Sequence, residues 1–147
     1  MISPASRWWQ CAGRSPLSWR MAHNPNRLHV VKRAEVLVTD IHAFARRHRR
    51  RLGELSPGLR NQLLRSCVSI SLNLVEACGY HSAGKAAALL DVSIGSCNEV
   101  ERVLSLCRLL GLEDERTAVI LHEVGVVRAM LYGFRRRIMT AERDAQK

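Results

Sequence analysis

The chain has 147 residues, enough for one domain with a single core and short for two. Apolar residues make up 47%, which excludes a disordered chain of low hydrophobicity. Lys and Arg total 23 against 13 Asp and Glu, and the resulting net charge of +10 points to a polyanionic partner.

Residues 1–20 carry all three tryptophans (Trp8, Trp9, Trp19) together with Pro4 and Pro16, and show no helical periodicity. They also lack the apolar stretch of a signal peptide. Met21 is therefore read as the native start, and residues 1–25 as an extension that is either disordered or the product of an upstream start.

Helix one is expected from about Arg27 to Leu52, because Val30, Ala34, Leu37, Ile41 and Phe44 recur at steps of four and three. Gly53 is expected to end it, and Ser56 with Pro57 to cap and open the next helix. Helix two is expected over about Gly58 to Cys78, with Leu59, Leu63, Ile70, Leu74 and Ala77 inward and Gly79 as its stop. Ser82 is placed to cap helix three, which runs to about Leu110. Its expected apolar set is Leu89, Val92, Val100, Val103, Leu104, Cys107 and Leu110. Gly111 followed by Leu112 reads as a Schellman ending. Asp114 is placed to cap helix four, where Ile120, Val124, Val127, Leu131, Phe134 and Ile138 step by four and three. The polar tail after Thr140 is expected to fray. No segment alternates with period two, so the fold class is all-α. Short connections force neighbouring helices antiparallel, which gives an up-down-up-down four-helix bundle over residues 26–140, with 141–147 as a frayed tail.

A polar seam crosses helix two. Ser69, Asn73 and Glu76 are four and three residues apart, and Ser66 and Gln62 continue the stripe. An unpaired buried polar group costs about 1–3 kcal/mol, so the seam needs partners. Helix three offers them in Gly95-Ser96-Cys97-Asn98-Glu99, with Arg65 or Arg102 available to balance the carboxylates. Arg65, Ser69, Asn73, Glu76, Ser96 and Glu99 are therefore read as a structural polar network that fixes register, in preference to a ligand pocket.

All but three of the cations (Lys32, Lys85, Lys147) are arginine, whose planar fork suits phosphate oxygens. Two clusters stand out: Arg46, Arg47, Arg49, Arg50 and Arg51 at the end of helix one, and Arg135, Arg136 and Arg137 towards the end of helix four. One or two cations complement a helix C-terminus, but five exceed that need. These eight arginines are the candidate nucleic-acid contacts. Antiparallel packing puts the clusters at opposite ends, so a monomer is expected to lack a continuous basic groove, whereas a ring of subunits would repeat each cluster around an end face. Scarce aromatics (Phe44, Tyr132, Phe134) disfavour base stacking on single strands.

No nucleotide-binding or hydrolase motif is present, and the histidines lack metal-site spacing. No catalytic residue, metal or cofactor is expected. The odd number of cysteines, without a C-x-x-C pair, reads as a reducing, cytoplasmic setting. No uncharged run reaches the roughly 18 residues of a membrane span, so no membrane partner is expected.

The pattern R-x-x-x-S-I-x-x-N-x-x-E at Arg65, Ser69, Ile70, Asn73 and Glu76, then Gly95, Ser96 and Glu99, then Leu110-Gly111, resembles the four-helix bundle family also called the 23S ribosomal RNA intervening-sequence proteins. The resemblance covers about Asn26 to Ile138, with departures at Ala77-Cys78 and Ser93. It implies a homopentameric ring and supplies no catalytic residues. A related branch, the accessory variability determinants of diversity-generating retroelements, binds nucleic acid and a reverse transcriptase. The expected function is a non-catalytic, basic, oligomeric nucleic-acid-binding protein, with RNA favoured over DNA. The alternatives are an adaptor subunit for a reverse transcriptase and a structural bundle with no nucleic-acid ligand.

Overall fold

The computed structural model describes residues 24–147, which fold into five helices with no strand among the described residues. After a 3-10 turn at Pro25–Arg27 come α1 (His29–Arg47), α2 (Arg49–Leu55), α3 (Leu59–Gly79), α4 (Ala83–Leu109) and α5 (Glu115–Ala145). The reading of residues 1–20, including the Met21 start, lies outside the described residues.

Cross-helix bonds fix the relative directions. On α3 and α4, Gln62 meets Glu99, Ser69 meets Ser96 and Ile70 meets Ser93, so one index falls as the other rises. Arg33–Glu123 and Arg116–Asp40 set the same antiparallel relation between α1 and α5, and Arg135–Asp91 and Arg128–Asn98 between α4 and α5. Besides packing on α5, α1 lies along α3.

The apolar stripes meet in one core. Leu37, Ile41 and Phe44 of α1 are fully buried with Leu63, Ile70 and Leu74 of α3, Leu90 and Leu104 of α4, and Ile120 and Leu131 of α5. Each such side chain contributes about 1.5–3 kcal/mol. Four cysteines fill the same core as free thiols, and burial pushes Cys97 up to about 12, far from a reactive thiolate. By length and composition α5 contains a stretch apolar enough to cross a membrane. Here its apolar stripe faces the core, and its charged Glu123 and Arg128 pair with α1 and α4.

Several boundaries differ from the sequence reading. Helix one breaks at His48, and Gly53 lies inside α2. The His48 ring packs on Phe44 at 4.6 Å between centroids, while its Nε2 stands 2.8 Å from Asp114, so the side chain is held from two sides and α2 swings to bury Leu52. Ser56 terminates α2, and its side chain caps nothing; its carbonyl accepts from the Leu59 amide, leaving Gly58 at the N-cap of α3. Val92 and Leu110 are half exposed, and Leu59 and Leu89 only partly buried. Val92 falls off the α4 stripe of Ala86, Leu90, Ser93, Cys97, Val100 and Leu104, and Leu110 lies beyond the last turn. The tail remains helical to Ala145, because Met139 and Ala141 pack against the core and Gln146 donates to Glu142.

Other boundaries follow the reading. The Ser82 hydroxyl accepts from the Lys85 amide, and Asp114 and Thr117 form a reciprocal capping box. Gly111, at φ +75°, ends α4 in a Schellman turn, with the Leu112 amide donating to Cys107 and the Gly111 amide to Arg108. A Cβ at Gly111 meets nothing within 4 Å, so only the backbone would object. Gly111→Ala should therefore lower unfolding free energy by about 1–2 kcal/mol in urea titrations.

Candidate nucleic-acid interface

The arginine run at the end of α1 is divided by the break at His48, and its members do different work. Arg47 reaches the α5 cap, with Nη2 at 3.0 Å and Nε at 3.3 Å from Asp114 Oδ2. Arg51 on α2 donates to the Gly111 carbonyl at 2.9 Å, satisfying a helix-end acceptor. Arg50 pairs only with Glu54 one turn away, and its side chain is 91% exposed, so the pair is worth little. Arg46 and Arg49 are exposed without an ion pair among the described residues.

Asp114 is the hub of this end. Burial alone would raise its carboxyl, but hydrogen bonds from His48, Arg47, Thr117 and the Arg116 amide outweigh that and hold it at about 2. The same carboxylate caps α5 and anchors the α1–α2 corner.

At the far end, Arg135 forms a two-pronged pair with Asp91 of α4, Nε to Oδ1 at 2.6 Å and Nη2 to Oδ2 at 3.0 Å. Arg136 and Arg137 are exposed. Arg135 stands 20 residues beyond the start of α5, or about 30 Å along the helix, so the structure does not bring the two clusters together. Of the eight predicted contacts, Arg47, Arg51 and Arg135 are engaged within the fold. Arg46, Arg49 and Arg136 are the readiest for a ligand.

Sequence reasoning missed Arg60. It lies in the first turn of α3 and lines a cleft with Arg46 and His42 of α1. The groove continues along α1 and α3 past His42 to Arg65, Ser69 and Asn73. A monomer thus presents a local cationic cleft at one end, while the two arginine clusters remain apart. The signal lay in topology: a short corner between antiparallel helices places the last turn of one beside the first turn of the next.

The polar seam exists in a smaller form. Ser96 donates to Ser69 Oγ at 2.8 Å, and Asn73 donates to the Ser69 carbonyl at 2.9 Å and hydroxyl at 3.0 Å. Gln62 donates to Glu99 at 2.7 Å, and buried Ser93 donates to the Ile70 carbonyl. The Ser96–Ser69, Gln62–Glu99 and Ser93–Ile70 bonds join α3 to α4, and the Asn73 bonds stay within α3. Glu76 is exposed and, among the described residues, accepts only from Tyr80, one turn away on the chain. Arg65 is exposed and pairs with none of the seam's carboxylates. Asn98 turns to α5, where it accepts from Arg128, which also pairs with Glu101.

Among the described residues no three His, Cys, Asp or Glu side chains cluster as a metal site. The family described as 23S rRNA-intervening sequence protein matches residues 26–133. The chain belongs to this family. No curated protein matches the chain. The family match spans α1 to most of α5, so it includes the α1 cluster, Arg60 and the seam but stops before Arg135.

Asp114 makes stability acid-sensitive in a defined window. Its folded pKa lies below the ordinary 3.8, so its contribution is complete above 3.8 and disappears as pH falls through about 2. Asp114→Ala should cost about 1–2 kcal/mol near neutrality through the lost cap. Urea midpoints of variant and parent should then converge as the pH falls through about 2. A gap that persists there would show that the carboxylate's charge is not what holds the corner.

Proposed function

We propose that this chain is a non-catalytic, arginine-rich nucleic-acid-binding protein of the cytoplasm, acting on RNA in preference to DNA. The observation that carries the proposal is the end of α1, where exposed Arg46 has no ion pair among the described residues and lines a cleft with Arg60, with Arg49 exposed at the start of α2. Structural need accounts for Arg47 and Arg51 and leaves these unexplained. The family's description, which concerns intervening sequences of 23S rRNA, supports RNA as the ligand.

The working form in this proposal is an antiparallel four-helix bundle of α1, α3, α4 and α5 assembled as a homopentameric ring. The pairwise packing of α1 on α3, α3 on α4, α4 on α5 and α5 on α1 supports the bundle. Exposed Leu72 and Val75 of α3 and Val92 of α4 supply apolar surface for a subunit contact. A ring would repeat the α1–α2 face around one end, so that several weak phosphate contacts act together.

Electrophoretic mobility shift of 23S rRNA fragments over a salt series tests the ligand. Affinity should fall linearly on logarithmic axes, with a slope of about −0.7 to −0.9 for each phosphate neutralised. Duplex DNA of matched length should bind more weakly. Sedimentation of the same samples should give the mass of five chains. Absence of any shift at about 50 mM salt would reject nucleic-acid binding, because electrostatic contacts are strongest there.

A further inference from the structure

At the arginine-rich end, α1 and α3 enclose an open cleft of about 490 Å³. Thr39, His42 and Arg46 of α1 and Arg60 of α3 form its polar lining, over a floor of partly buried Val38 and Leu64. No carboxylate lines it. Glu35, the nearest acid on this face of α1, sits one turn beyond Thr39 and receives the Thr39 hydroxyl through its backbone carbonyl. Asp40 points to the other side, where it pairs with Arg116 of α5.

The cations here are unanswered. Arg60 Nε is buried yet has no hydrogen-bond partner among the described residues. A charged donor withdrawn from water in this way is costly unless an acceptor arrives. Arg46 faces the same space without an ion pair, although its neighbour Arg47 has one. The first turn of α3, which contains Arg60, adds to the same field. No side chain caps it, and it carries no acidic residue, so the positive end of a 21-residue helix is uncompensated.

The geometry points to a phosphate-binding subsite in this cleft, held by Arg46 and Arg60, for an internal phosphodiester of an RNA strand. Two guanidinium forks from opposite walls can each donate to phosphate oxygens. His42 adds a ring N–H at the rim, and the Thr39 hydroxyl, already committed to Glu35, serves only as wall. Val38 and Leu64 suit the carbon face of the adjoining sugar. The groove runs on to Arg65 five residues along α3 from Arg60, about 7.5 Å away along the axis, which gives the strand a third cation. The subsite rests on the nucleic-acid reading above and gives it an address.

The test compares the parent protein with Arg46→Gln/Arg60→Gln and with Arg50→Gln, which removes an exposed cation outside the cleft. Fluorescence anisotropy with a labelled RNA oligonucleotide should show binding weakened at least about tenfold in the double variant, with the salt slope reduced by about 1.5. Arg50→Gln should change the slope by less than about one. Circular dichroism checks that all three proteins keep their helix content. A double variant that binds like Arg50→Gln overturns the subsite while leaving nucleic-acid binding intact. Should the parent bind no RNA, titration with inorganic phosphate decides the matter separately. Nitrogen-15 NMR shifts at Arg46 and Arg60 Nε would uphold an anion site, and their absence would reject it. Oligonucleotides with and without a 5′ phosphate identify the source: equal affinity supports internal phosphodiesters, and preference for the phosphorylated end overturns that assignment.

Discussion

One carboxylate ties the arginine-rich end together. Asp114 accepts the first amides of α5, the Arg47 guanidinium and the His48 ring, and so joins three segments distant in sequence. The break between α1 and α2 depends on this hub, because His48 is held between Asp114 and Phe44. With the break in place, Leu52 is buried and Arg51 reaches the carbonyl of Gly111. A straight helix through residue 52 would carry that face away from the α4–α5 turn. Arg47 meets that acidic side chain directly, and the break that lets Arg51 reach Gly111 lies beside it.

This arrangement sorts the positive charge into two populations. Arg33, Arg47, Arg116, Arg128 and Arg135 bridge helices through carboxylates. Most of these pairs are partly solvated, so they fix direction and register more than they add stability. Others have no ion pair among the described residues, and of these Arg46 and Arg60 share a cleft where α1 ends and α3 begins. That shared cleft is the physical basis of the proposed phosphate contacts, since net charge alone says nothing about where a ligand would sit.

The amphipathic stripes made the helices legible: Val30, Ala34, Leu37, Ile41 and Phe44 are all buried, as are the six apolar residues from Ile120 to Ile138. Local punctuation was equally readable at Ser82, Gly111 and Asp114, where a few neighbouring residues decide the geometry. The break at His48 was not readable, because its cause is a contact across 66 positions. Gly53 misled for the same reason; glycine permits a stop, but tertiary contacts chose another place. The seam was half legible. Spacing correctly marked Ser69 and Ser96 as partners. It could not tell that Asn98 would turn to Arg128, or that Glu76 would stay in water. For the site, the arginine clusters were visible as composition, whereas the meeting of Arg46 with Arg60 needed the fold.

The near-absence of lysine from this surface carries a regulatory consequence. Only Lys32, Lys85 and Lys147 carry a side-chain amine, and none lies between Arg46 and Arg60, where α1 ends and α3 begins. Guanidinium groups stay protonated at any pH a cell reaches, and they are not substrates for acetylation. The proposed phosphate contacts, built from them, would not be loosened by mild alkalinity or by the acyl chemistry that silences amines. A polyanion held by the proposed contacts would be released by competing polyanions or by ionic strength.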